Sequence, residues 1–100
     1  MKQDVFNQYA DKIVSMFDIT RDELFSKTKK REVVDARHLL YYLCYKRPMT
    51  ISYIQKYMSA NGYDIQHSSV IHGINSVSER VKDDADYMQI AKELDKAVFI

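Results

Sequence analysis

The chain has 100 residues, 46% of them hydrophobic, with 2 Gly, 1 Pro and 1 Cys. A chain of this size buries roughly 65% of its unfolded surface as one domain, and the single Cys44 excludes an intramolecular disulfide and any thiolate pair for a zinc finger. The net charge of +1 hides an asymmetry: residues 26–50 carry Lys27, Lys29, Lys30, Arg31, Arg37, Lys46 and Arg47 against Glu32 and Asp35, a local +5, while residues 1–25 and 51–100 each sum to −2.

Scarce Gly and Pro favour helices, and the apolar spacing is helical from the start. Val5 or Phe6, Tyr9, Ala10, Ile13, Val14 and Phe17 predict an amphipathic helix over about 2–17. This mixture is not a signal peptide, and no apolar run approaches a membrane span, so no membrane association and a cytoplasmic location are expected. Thr20 with Glu23 forms a capping-box pattern that opens a short helix to about Phe25. Residues 26–29 break the rhythm as a loop. Val33, Val34, Ala36, Leu39, Leu40, Leu43 and Cys44 then carry a longer helix from about Lys30, which stops before Pro48 because a residue preceding proline avoids the helical region. Thr50 is the N-cap of a helix over about 51–59 with Ile51, Ile54 and Met58 inward, and Asn61-Gly62 ends it. A helix over about 66–82 follows, with Val70, Ile74, Val77 and Val81 on one stripe and Ser68, Ser69, His72, Asn75, Ser76 and Glu79 on the other. Asp83 or Asp84 caps a last helix through about Val98, with Ala85, Met88, Ala91, Leu94, Ala97 and Val98 available for burial. The result is one all-α domain of about six helices, spanning residues 1–100. The helices over 51–59 and 66–82 form a helix-turn-helix candidate.

A concentrated basic segment on a near-neutral chain is a local footprint for a polyanion, although a solvated surface also carries charge runs of this kind. Tyr41, Tyr42, Tyr45, Tyr53 and Tyr57 stand at spacings suited to packing between helices rather than to a base-stacking platform. His67 and His72 are equally compatible with structural histidines on a helix surface. No carboxylate or Cys at helical spacing forms a nucleophile and base pair with them, so neither catalysis nor a cofactor is expected.

Ile65-Gln66-His67-Ser68-Ser69-Val70-Ile71-His72-Gly73 resembles the signature of the DNA-binding domain at the C-terminus of DnaA, the bacterial replication initiator, where the family runs Arg-Asp-His-Thr-Thr-Val-Leu-His-Ala. His67, Val70 and His72 match outright, and the likeness extends over about residues 9–99. It implies a Trp repressor-like helical fold that binds double-stranded DNA sequence-specifically. Residues 26–31 are similar to the family's basic loop, which lies against phosphates and sends an Arg into the minor groove; Lys29 stands at that Arg, flanked by Lys27, Lys30 and Arg31, and Arg37 matches a later Arg that holds the backbone. Thr50, Ile51 and Ser52 fall where the family's first motif helix begins, with Ile51 at a Leu that packs on a thymine methyl and Ser52 in place of a Pro. His67 and Ser68 fall on base-reading residues and Ser69 on a Thr near phosphate.

The departures carry expectations of their own. Lys29 lacks the planar guanidinium fork suited to the minor groove. Gln66 replaces an Asp that only accepts; its amide both donates and accepts, so adenine is expected in place of cytosine at that position. Eight residues, Ser59 to Gln66, separate Met58 from His67, a longer turn than the family's. No Gly-rich phosphate loop with Lys occurs, so the initiator's nucleotide-binding module is absent from these residues. The expectation is a free-standing DnaA-like module in a bacterium or phage-infected host, acting in replication initiation, its regulation or transcription, as a phage or mobile-element accessory. The alternative is a protein-interaction module that uses the same fold to bind a replication factor.

Overall fold

The computed structural model describes residues 2–98, which form six helices and no strand: α1 (Lys2–Phe17), α2 (Arg21–Leu24), α3 (Arg31–Lys46), α4 (Ile51–Ala60), α5 (His67–Asp83) and α6 (Ala85–Lys96). The all-α expectation holds in number, order and, within a residue or two, boundaries. α6 stops at Lys96, short of the expected Val98, where the Ala97 amide turns back to the carbonyls of Glu93 and Leu94.

Helix ends follow local chemistry. The Thr20 hydroxyl accepts from the Glu23 amide at 3.1 Å while Glu23 Oε1 accepts from the Thr20 amide at 3.0 Å, which completes the capping box. Asp84 caps α6 by accepting from the amides of Asp86 and Tyr87 at 3.0 and 3.1 Å. Two Schellman motifs end helices. Asp18, at φ 55°, closes α1 with the Ile19 amide returning to the Val14 carbonyl at 3.0 Å. Gly62, at φ 91°, closes α4: its amide donates to the Ser59 carbonyl at 2.9 Å and the Tyr63 amide to the Met58 carbonyl at 3.0 Å. That backbone fixes where Tyr63 leaves the helix.

α3 is the central element and touches all five other helices. Its Leu39, Leu40 and Cys44 meet Phe6, Tyr9 and Ile13 of α1, Ile54 and Met58 of α4 and Val70 of α5 in one buried cluster. Each aliphatic side chain buried this way contributes roughly 1.5–3 kcal/mol, so truncating Leu40 to Ala is expected to cost about 2–5 kcal/mol. Burial pushes the Cys44 thiol well above its ordinary range, so it packs as a small apolar group. Among the tyrosines expected to pack, Tyr41 and Tyr57 are buried, whereas Tyr45 and Tyr53 are exposed. Ala85 and Met88 also lie outward, because α6 buries a narrow stripe of Tyr87, Ala91 and Leu94.

α5 lies against α3 at an unusually close point. A Cβ on Gly73 would stand 2.8 Å from ring carbons of both His38 and Tyr41. Glycine there serves close approach, since it sits inside a regular helix.

Candidate nucleic-acid interface

The start of α5 is open. Gln66 is its N-cap but makes no side-chain capping bond, so the amides of the first turn lack the partner that a Ser or Asp would give them. Gln66, His67, Ser68, Ser69 and His72 are all exposed, while Val70, Gly73 and Ile74 face the core. An uncapped helix start with short hydroxyl and imidazole side chains suits anionic oxygens and base edges, because nothing bulky keeps a ligand away and the helix dipole favours negative charge.

The turn before α5 is pinned to three elements. From α4, Gln55 Nε2 donates to the Ile65 carbonyl at 2.9 Å and Ser59 Oγ to Asp64 Oδ1 at 2.7 Å. From the basic loop, Lys27 Nζ donates to the Asp64 carbonyl at 2.9 Å and lies 4.9 Å from the centre of the Tyr63 ring. From α3, the Arg37 guanidinium lies 4.8 Å from the same ring. α4 runs on through Ala60, so the eight residues between Met58 and His67 divide into a last stretch of helix and a six-residue turn, Asn61 to Gln66, held by side chains from both flanks. The basic loop and the start of α5 stand side by side.

Arg37 is placed differently from an exposed backbone contact. It is only 5% exposed. Its Nε donates to the Leu24 carbonyl at 3.0 Å and its Nη2 to the carbonyls of Ser26 and Thr28 at 2.9 and 2.7 Å. The loop leaves these carbonyls without helical partners, and the guanidinium fork collects them from beneath. The exposed cations that remain are Lys27, Lys29, Lys30 and Arg31. Arg31, 90% exposed at its side chain, sits 3.9 Å from Asp35, a contact worth little at the surface.

The +5 of residues 26–50 is not one patch. At the far end of α3, Arg47 Nε pairs with Asp95 at 3.3 Å and its Nη2 donates to the carbonyls of Asp95 and Val98 at 3.1 and 2.9 Å. Tyr9 donates to the same Asp95 carboxylate. Lys46 lies over the Tyr42 ring. Thr50, Ile51 and Ser52 begin α4 as expected, with the Thr50 hydroxyl accepting from the Tyr53 amide at 3.3 Å, Ile51 half-buried and Ser52 exposed.

Between α3, the turn before α5 and the start of α5 runs a groove of about 350 Å³ lined by Arg37, His38, Tyr41, Tyr63, Ile65, Ser68, Ser69 and His72. The imidazoles of His38 and His72 meet edge to face at 5.7 Å. Burial lowers the His38 pKa below its usual 6.5, and His72 and Arg37 add to that effect against Asp35. Sequence reasoning singles out neither His38 nor Tyr63 and gives Tyr41 a packing role alone. His38 shares a helical stripe with Arg31 and Val34, which was available as a signal; Tyr63 had none beyond following Asn61-Gly62. Among the described residues no group of three or more His, Cys, Asp or Glu could hold a metal ion, and no helix is long and apolar enough to cross a membrane.

Comparison with known proteins agrees with this architecture. The chain is 30% identical over 89 residues to the chromosomal replication initiator protein DnaA of Chlorobaculum tepidum, an alignment that covers 88% of this chain and 17% of that protein. No solved structure matches significantly. Residues 8–77 match the family described as the bacterial dnaA protein helix-turn-helix, a span holding the basic loop, α4 and the first part of α5. The chain belongs to that helix-turn-helix family.

Proposed function

We propose that this domain binds double-stranded DNA sequence-specifically, with the first turn of α5 in the major groove and the basic loop on flanking phosphates. The observation that carries this reading is the juxtaposition of the exposed, uncapped start of α5 with the basic loop, joined where Lys27 reaches the Asp64 carbonyl. Lys29, Lys30 and Arg31 supply sequence-independent attraction, and Ser69 and the α5 amides add phosphate contacts. Gln66, His67, Ser68 and His72 read base edges, with Gln66 favouring adenine. Thr50, Ile51 and Ser52 contact the backbone from the start of α4. Arg37 acts from inside, by shaping the loop. The process served is the initiation of replication or its regulation, in keeping with the name of the related initiator.

Selection from a random duplex pool, followed by sequencing, tests this reading. A single enriched site is expected, and His67→Ala and Ser68→Ala are expected to lower preference for it by ~1–3 kcal/mol per lost contact while leaving affinity for random DNA nearly unchanged. A pool without enrichment would contradict sequence reading and favour a protein-binding role for the same face.

A further inference from the structure

Tyr63 stands where three segments meet, and no motif accounts for it. Its ring is approached by two cations from different elements, Lys27 of the basic loop at 4.9 Å and Arg37 of α3 at 4.8 Å from the ring centre. Its hydroxyl lies 3.4 Å from Arg37 Nη1. The same two cations bind backbone on either side of it: Arg37 takes the carbonyls of Leu24, Ser26 and Thr28, and Lys27 takes the carbonyl of Asp64. Gly62 fixes the direction in which Tyr63 leaves α4. Three residues beyond Tyr63, Gln66 begins α5.

We propose that Tyr63 is a positioning residue that clamps the basic loop to the start of α5, so that the two surfaces facing DNA are held in fixed relation. A short loop carrying Lys27, Lys29 and Lys30 repels itself and has few apolar contacts, so it would otherwise sample many positions. The Lys27 contact with the half-buried Tyr63 ring, together with its bond to the Asp64 carbonyl, holds it against one wall. The extra residues of the long turn deliver the aromatic ring to the loop. Fixed spacing between phosphate-positioning and base-reading groups is what converts general attraction into sequence preference, because a loose loop attracts every duplex equally well. This inference rests on the DNA-binding reading, and one of its two tests is independent of that reading.

The first test uses trypsin on the native full chain without DNA, since the loop carries its own cleavage sites at Lys29, Lys30 and Arg31. Cleavage there tracks local opening. Tyr63→Leu is expected to speed loop cleavage by roughly 2- to 30-fold, the span of a cation–π contact, with cleavage after Lys12 in α1 unchanged; Tyr63→Phe, which keeps the ring, is expected to stay near the parent. Unchanged loop cleavage in Tyr63→Leu, or a rise shared equally by Lys12, overturns the clamp. If Tyr63→Leu does not fold, Lys27→Met removes one of the two cations from the outside, and the same readout at Lys29, Lys30 and Arg31 decides. The second test compares duplexes: Tyr63→Leu is expected to keep its affinity for random DNA and to lose preference for the selected site, with Tyr63→Phe restoring it. A preference ratio equal to the parent's contradicts the role in reading. If the parent binds no duplex, the DNA reading fails while the trypsin result still decides whether the clamp exists.

Discussion

The two ends of α3 carry the same kind of charge and use it in opposite ways. At the N-terminal end, Lys29, Lys30 and Arg31 stand exposed, while Arg37 is turned inward onto loop carbonyls and Lys27 reaches the Asp64 carbonyl. At the C-terminal end, Arg47 folds onto Asp95 and the Val98 carbonyl, and Lys46 lies along Tyr42. The difference lies in what each guanidinium or ammonium finds within reach. Where backbone carbonyls lie within reach, as for Arg37, Arg47 and Lys27, the cation becomes part of the fold; Lys29, Lys30 and Arg31 stay exposed and available to an external anion. Net charge along a sequence does not separate these cases.

The comparison breaks most readily at its buried members. Arg37→Ala is expected to cost roughly 3 kcal/mol or more of stability, because three carbonyls lose a charged donor together, and Arg47→Ala about 1–2 kcal/mol, since that site is partly open to water. Lys30→Ala should stay within about 0.5 kcal/mol. Urea denaturation of the three variants measures this directly, and a Lys30 effect as large as that of Arg37 would erase the distinction between structural and available cations.

A smaller effect is expected at the seam beside the interface. Gly73→Ala gains helix propensity but drives a Cβ to 2.8 Å from the rings of His38 and Tyr41. The net expectation is a loss of about 1 kcal/mol, read as a lower urea midpoint; a gain in stability would show that α5 shifts freely on α3.

The smallest effect is a pH dependence centred on His38. Its folded-state pKa lies below 6.5, so between that value and 6.5 the unfolded chain binds more protons than the folded one, and stability falls as pH drops through that window. His38→Gln should flatten the urea midpoint between pH 7 and pH 5 relative to the parent. A midpoint that instead rises on acidification in the parent would place His38 beside a dominant carboxylate.

Much of this was legible in the sequence because the decisive signals are local. The 3.6-residue stripes of α1, α3 and α5, the capping box at Thr20 and Glu23, the cap at Asp84 and the Asn61-Gly62 break each depend on neighbours within a few positions, and all appear where the sequence places them. The motif from Gln66 to His72 was likewise readable as an exposed face above a core stripe. The roles of Arg37, Arg47, His38 and Tyr63 were not, since each is set by partners far along the chain: Tyr63 lies 26 residues from Arg37, and Asp95 lies 48 from Arg47. Sequence spacing gives a helical residue its face, but long-range packing decides whether that face meets carbonyls, a ring or solvent.

The most direct test of the account is the salt dependence of duplex binding for the parent, Lys29→Ala and Lys46→Ala. With Lys29, Lys30 and Arg31 as the available cations, the parent's log affinity should fall against log salt with a slope of roughly −3. Lys29→Ala should make that slope shallower by about 1 and leave site preference intact, and Lys46→Ala should leave the slope unchanged. Equal changes for Lys29→Ala and Lys46→Ala, or no duplex binding at low salt, would contradict the account.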